Sequence, residues 1–261
     1  MEKPARFIRY QVTDGIAEII LDKPPLNLID RDLVLEYFAA LERADKDADV
    51  RVVVLSGAGA GLSAGLDLKY AEQFSAADMK DFLRLFYVET IQRCRALSKP
   101  MIAMVQGYAR EGACTLAFSC DMVIASDDAT FGYPGVPAIA APPGMHTWFL
   151  QRLIGRMKAA ELIFTGKAIS AEVADQTGLI TRMVPRDKLH QETMALAAEI
   201  ATMSPLALRN ARAFMYEVED MDFAQVPEAA LEVVSSAFDS EDSKEARRAF
   251  NEKRKPVWTG R

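Results

Sequence analysis

Two short turns, Gly57 to Asp67 ("GAGAGLSAGLD") and Gly107 to Gly112 ("GYAREG"), each follow an apolar run that reads as a buried strand. Small residues there let main-chain N–H groups be aimed at one point with no side chain in the way. Gly112 opens a predicted short helix, so its N–H is a first-turn donor without an intrahelical partner. The helix dipole adds partial positive charge at that end. A second N–H from the first turn, converging on the same point, makes an oxyanion hole, worth roughly 10²–10³ in rate per donor. Plain tight turns also explain the spacing, which by itself leaves both readings open. Neither turn is a nucleotide loop. The first lacks the G-x-x-x-x-G-K-[ST] pattern, and the second runs on into Ala113-Cys114, without the lysine. A dinucleotide-binding fingerprint also fails on spacing. Cys94, Cys114 and Cys120 are odd in number and form no C-x-x-C, so they read as reduced core thiols. Cys114 sits in an apolar stretch, a poor place for a nucleophile.

The elements that must position these turns follow from pattern. Arg6 to Val12 and Ala17 to Leu21 read as strands about the turn Asp14-Gly15, and "KPPLNLID" as a loop with Asp30 as helix cap. Leu33 to Ala44 carries a helical period, "RVVVLS" and "MIAMVQG" are buried strands, and Ala76 to Leu97 reads as one long amphipathic helix that stops at Pro100. Glu111 to Ser119 is a short apolar helix and Met122 to Ala125 another strand. Helices alternating with strands imply a parallel sheet with right-handed crossovers. From Pro142 onward the chain reads as helical, with candidates at 143–155, 157–165, 171–177, 187–202, 205–218, 227–239 and 241–252. A strand-rich part, 1–195, is therefore followed by a helical part, 196–261, with Pro205 the marker near the junction. The chain of 261 residues is 50% apolar with a net charge of −6. That balance excludes a nucleic-acid surface. Neither a signal-peptide core nor an apolar run of membrane-spanning length occurs, so a cytoplasmic protein is expected.

The stretches "PPLNLID", "GLSAGLDLK", "KPMIAMVQGYAREGACTLAFSCDMVIASDDATFGYP", "LIGRMKAAELIFTGKAISAEVADQTGLITRMVP" and "FNEKRKPVWTGR" together resemble the crotonase superfamily, the enoyl-CoA hydratase/isomerase family. They cover most of the chain, in family order. The resemblance implies an α/β fold, a spiral core of ββα turns with a helical C-terminal region, assembled as trimers or dimers of trimers. It implies an acyl-CoA thioester as substrate, in fatty-acid or aromatic-acid metabolism, with coenzyme A part of the substrate and no separate cofactor or metal. It places the oxyanion hole on the N–H groups of Ala64 and Gly112. It makes Ala64-Gly65-Leu66-Asp67 the segment that holds coenzyme A through main-chain atoms. Lys69, Lys253 and Lys255 then either meet its phosphates or belong to solvated faces.

The chain departs from the family where hydratases carry two glutamates. Thr115 stands three residues after Gly112, and Gly135 is the fifth residue of "FGYPG". Adding water to an unsaturated thioester needs a base for the water and a proton source for Cα, and a carboxylate pair supplies both. Threonine and glycine do not. Enolate stabilisation survives, so isomerase, decarboxylase, C–C hydrolase or atypical hydratase chemistry is expected, with a non-catalytic acyl-CoA-binding subunit as the alternative. Glu111 is either a replacement base or a carboxylate complementing the helix start. Arg110 meets an acidic substrate group or solvent. His146, in "PPGMHTW", is the natural titrating group near neutral pH or a satisfied core histidine. Tyr133 shares the face of Gly135 on an extended segment and either reaches the acyl group or packs in the core. His190 reads as exposed. The prolines of "APPG", with Trp148 and Phe149, suggest a stiff, bulky acyl pocket.

Overall fold

A computed structural model of the chain describes residues 6–142 and 144–261, so Pro143 of "APPG" lies outside the described residues. Strands β1 (Ile8–Thr13) and β2 (Ile16–Leu21) form an antiparallel hairpin. Asp14 (φ 50°) and Gly15 (φ 77°) both take the positive φ that suits the twist of a two-residue hairpin turn. Helix α1 (Arg31–Lys46) starts on the Asp30 carboxylate, which accepts from Leu33 N–H at 3.0 Å. Then follow β3 (Val52–Gly57), α2 (Leu68–Ala71), α3 (Ala76–Leu83), a π-helical turn (Arg84–Glu89), α4 (Thr90–Ala96) and β4 (Met101–Val105). The middle of the chain gives β5 (Tyr108–Arg110), α5 (Gly112–Phe118), β6 (Met122–Ser126), β7 (Thr130–Gly132), α6 (Gly135–Ile139) and α7 (His146–Thr165). It closes with β8 (Ile169–Ser170), α8 (Ala171–Gln176), β9 (Arg182–Val184), α9 (Leu189–Ala201), α10 (Pro205–Glu217), α11 (Val226–Phe238) and α12 (Glu241–Glu252).

Among the described residues, six strands form one sheet in the order β1-β2-β3-β4-β6-β9, parallel from β2 onward. Its central strands are buried on both faces, as near-continuous apolar runs require. Alternation sorts the side chains. Val53, Leu55, Ala103, Val105, Val123 and Ala125 point into the larger core with Tyr37, Phe38 and Leu41 of α1. Val52, Val54, Ile102, Met104 and Ile124 point the other way, under Leu189 and Ala197 of α9.

A second sheet, β5-β7-β8, differs from the sequence reading, which leaves Tyr108 to Arg110 in a turn. Tyr108 to Arg110 pair in parallel with Thr130 to Gly132, three residues too short to show a period. The long helix expected over 76–97 is also interrupted. Its π turn brings Leu85, Phe86 and Tyr87 inward one after another, which a regular α-helix does not do. Helix α7 merges the two helices expected at 143–155 and 157–165, with a kink at Gly155 (φ 76°, ψ 158°). Among the described residues no helix is long and apolar enough to cross a membrane.

One buried network ties α10 to the main sheet. Arg212 pairs through Nε with Asp121 Oδ2 at 2.8 Å and donates to the carbonyls of Cys94, Arg95 and Leu97 at the end of α4. Asp121 also accepts from Met101 N–H at 2.7 Å and from the Tyr216 hydroxyl at 2.6 Å.

Candidate active site

The two glycine-rich turns lie side by side. Ser63 and Ala109 form a parallel bridge, with Leu62 N–H on Tyr108 O at 2.9 Å and Arg110 N–H on Ser63 O at 3.2 Å. This approach demands glycine. A Cβ on Gly107 (φ 61°) stands 1.8 Å from Ala60 O. Asn27, buried at φ 51°, clamps the first turn by donating its amide to Ala58 O and Leu62 O at 2.9 and 3.1 Å.

A second bridge, Ile29 with Leu66, decides which N–H groups are free. Ile29 N–H reaches Gly65 O and Asp67 N–H reaches Ile29 O, both at 2.9 Å. Along an extended segment successive peptide groups alternate in direction, so the Leu66 N–H faces away from Ile29. Among the described residues it has no hydrogen-bond partner. The Ala64 N–H, expected as the first oxyanion donor, is engaged by Leu26 O at 3.0 Å. That expectation is corrected: in this segment the open N–H belongs to Leu66, two residues further on. Asp67 turns its side chain inward to cap α2, accepting from Lys69 N–H and Tyr70 N–H at 3.1 Å each. Gly65 takes a positive φ of 95°, and a Cβ there would stand 3.0 Å from Arg110 O, so both backbone and space favour glycine.

Glu111 delivers Gly112. Its φ of 41° and ψ of −96° lie outside the regions that L-residues favour, a conformation costing about 1–3 kcal/mol. Glu111 N–H bonds Gly132 O at 2.8 Å, the end of the β5–β7 ladder, and the chain then turns into α5. Gly112 N–H finds no main-chain acceptor among the described residues and lies against the Glu111 carboxyl. Over Gly112, Ile29 Cδ1 and Phe86 Cε1 sit 2.9 and 3.0 Å from where a Cβ would be, so only glycine fits without movement.

The Glu111 carboxyl is held from above by Tyr87, whose hydroxyl donates to Oε1 at 2.5 Å. Burial pushes the carboxyl up from the usual carboxylate range, while the Tyr87 hydroxyl and the Gly112 N–H draw it back in part. The Tyr87 phenol is pushed well up by burial and by the neighbouring carboxylate. Sequence reasoning missed Tyr87. Its only signal is a tyrosine inside an amphipathic helix, and the π turn that aims it leaves no mark in the period.

His146, at the start of α7, is fully buried. Its Nε2 lies 2.9 Å from Glu111 O and 3.0 Å from Thr115 Oγ1. Burial lowers the imidazole to about 4, only partly opposed by the bond to the Glu111 carbonyl. It is therefore neutral near pH 7, not the titrating group that its rarity suggests. Among the described residues its Nδ1 and the Tyr133 hydroxyl are buried without hydrogen-bond partners, and the Tyr133 ring packs edge-on at 4.8 Å from the imidazole. Arg110 is occupied by its own sheet, donating to Thr130 O and Thr130 Oγ1 at 2.9 Å each. Cys114 is buried and pushed up to about 12, an unreactive thiol. Lys69, Lys253 and Lys255 are exposed, and Lys253 (φ 53°) ends α12.

This layout has counterparts among known proteins. The family model for enoyl-CoA hydratase/isomerase matches residues 11–261. The chain belongs to the enoyl-CoA hydratase/isomerase family. A probable enoyl-CoA hydratase of Mycobacterium bovis is 35% identical over 245 residues, covering 93% of this chain and 94% of that protein. A probable enoyl-CoA hydratase of Rhizobium meliloti is 36% identical over 241 residues, covering 91% of each. The crystal structure of enoyl-CoA hydratase from Bacillus anthracis superposes with a TM-score of 0.93 at 30% identity, over 98% of this chain and all of that one.

As a chain of the enoyl-CoA hydratase/isomerase family it acts on acyl-CoA, and its crotonase-like α/β fold is that of its structural neighbours. The two departures from the hydratase pattern now have a physical description. Thr115 is sealed beneath the His146 ring and fully buried. Gly135 opens α6 and is buried as well, its carbonyl taken by Ala141 N–H at 3.3 Å. Neither position presents a carboxylate, and Glu111 is the carboxyl that stands at Gly112.

Proposed function

We propose that the chain catalyses proton transfer next to the thioester carbonyl of an acyl-CoA, as in a double-bond shift of an enoyl thioester, with Glu111 as the carboxyl that moves the proton. The observation that carries this reading is the buried Glu111 carboxyl, fixed by Tyr87 beside a Gly112 N–H that has no main-chain acceptor among the described residues. The thioester oxygen takes the N–H groups of Leu66 and Gly112. Glu111 removes a proton from carbon, the C–H electron pair moves onto that oxygen as an enolate, and the same carboxyl, after its proton has exchanged with solvent, delivers a proton to a second carbon.

Binding sharpens the base. A thioester oxygen arriving at Gly112 takes the N–H that otherwise supports the Glu111 carboxylate. Losing that support favours the protonated carboxyl, so Glu111 takes a proton more readily. Water addition by the two-carboxylate route needs a second proton-handling group, and the buried Thr115 and Gly135 supply none. The apolar residues Leu231, Val234 and Phe238, exposed on α11, support the expected assembly with further copies of the chain.

The test is a mixed acyl-CoA panel (enoyl, dienoyl, alicyclic, β-oxo and malonyl-type thioesters) incubated in heavy water and read by mass spectrometry. The expected product carries deuterium with its mass otherwise unchanged. Gain of water or loss of carbon dioxide refutes the proton-transfer reading. Thermal stabilisation by an acyl-CoA with no deuterium gained points instead to a binding subunit.

A further inference from the structure

The Glu111 carbonyl and the Gly112 N–H belong to one peptide unit. A trans peptide is planar, and its C=O and N–H point in opposite directions. Whatever holds the carbonyl therefore aims the N–H. The next residue is a glycine, and Glu111 sits at an unfavourable φ of 41°, so this plane has little local reason to stay where it is. Two donors meet its oxygen: Thr115 N–H at 3.2 Å, the ordinary helical bond, and His146 Nε2 at 2.9 Å.

A carbonyl only accepts, so the proton of the neutral imidazole resides on Nε2 and the bare nitrogen is Nδ1. Among the described residues that nitrogen is buried with no hydrogen-bond partner. The ring thus keeps an unsatisfied acceptor for the sake of one donor, which the Glu111 carbonyl at 2.9 Å shares with Thr115 Oγ1 at 3.0 Å. A donor on the carbonyl also polarises the peptide unit and strengthens its N–H as a donor.

We propose that His146 is a positioning residue, whose Nε2–H holds the Glu111 carbonyl and so aims and strengthens the Gly112 N–H for the acyl oxygen. The inference rests on the reading given under Proposed function for its catalytic consequence, but not for its geometry. It replaces the role of proton carrier that the sequence suggests for His146.

The sequence contains one Glu-Gly pair, Glu111-Gly112. Labelling glutamate with carbonyl 13C and glycine with 15N therefore selects a single amide, that of Gly112, in the whole protein. The variants are His146→Gln, which keeps an N–H donor of similar reach, and His146→Met, of similar shape without one. In H146M the Gly112 15N resonance moves upfield, and in H146Q it stays near its wild-type position. Deuterium exchange into the substrate falls about 10- to 100-fold in kcat for H146M, with KM within about threefold, and H146Q recovers most of it. An unmoved Gly112 resonance in H146M, or H146Q and H146M behaving alike, overturns the proposal. So does loss of an ionisation from the pH–rate profile in H146Q, which makes His146 a proton carrier. Should H146M lose its fold, the H146Q resonance decides: retained supports the proposal, displaced overturns it. If the wild-type protein exchanges no thioester proton, the reading of the reaction falls, while the Gly112 resonance still decides the role of His146.

Discussion

Replacing Glu111 by Gln preserves the shape of the side chain and an acceptor for Tyr87, and removes only the charge and the proton. The reaction and the stability then respond in opposite directions. A positioned general base contributes about 10²–10⁴ in rate, so E111Q should lose deuterium exchange by that factor with little change in KM. Burial raises the Glu111 pKa in the folded protein above its unfolded value. Such a group gives stability that is fully present below its unfolded pKa and lost as pH rises through the folded one. Wild type therefore carries a destabilising term near neutral pH that Gln does not. Each unit between the two pKa values is worth about 1.4 kcal/mol, and 1 kcal/mol moves the melting point of a chain this size by about 2–4 °C. E111Q should melt at or above wild type at pH 8, and its advantage should shrink towards pH 4. The assay pairs exchange rates with urea denaturation at both pH values, so that other carboxylates cancel in the difference. Exchange within threefold of wild type refutes Glu111 as the base. A variant less stable than wild type at pH 8 refutes the account of a buried charge.

Two further outcomes follow from other contacts. Tyr87→Phe removes the hydroxyl that draws the Glu111 pKa down, so the rise of exchange rate with pH should move to higher pH. A rise that stays in place or moves lower contradicts the Tyr87–Glu111 bond. Arg212→Met leaves Asp121 without its cation and takes one donor from each of three carbonyls. The cost should be about 3–5 kcal/mol, or roughly 6–20 °C in melting point, and adding Asp121→Asn should restore part of it. A single-variant loss below about 1 kcal/mol in urea denaturation argues against this network as the tie between α10 and the sheet.

Much of the frame was legible because it depends on period and punctuation. The runs 52–55 and 101–105 are the buried strands their apolar patterns imply, sorted by alternation into two cores, and Asp30 caps α1 as its type favours. The site was legible only in its composition. Family likeness put the first donor on Ala64, whose N–H the fold engages with Leu26 O, and which N–H of this segment stays open is decided by the Ile29–Leu66 bridge between distant segments. One step of register there exchanges an engaged donor for an open one. Tyr87 depends in the same way on one wide helical turn, and the direction of the Glu111 carboxyl on a single dihedral. These three features share a cause. Each sets a local preference against a long-range contact, with the contact winning, and such conflicts are where sequence rules fail and functional sites concentrate. The departure from the two-glutamate pattern makes the point sharpest. Thr115 and Gly135 read as losses along the sequence, yet in the fold Thr115 lies against His146, which in turn holds the peptide of Glu111 and Gly112. The carboxyl at Gly112 belongs to Glu111, four residues before Thr115, on the peptide that begins α5 rather than in its first turn.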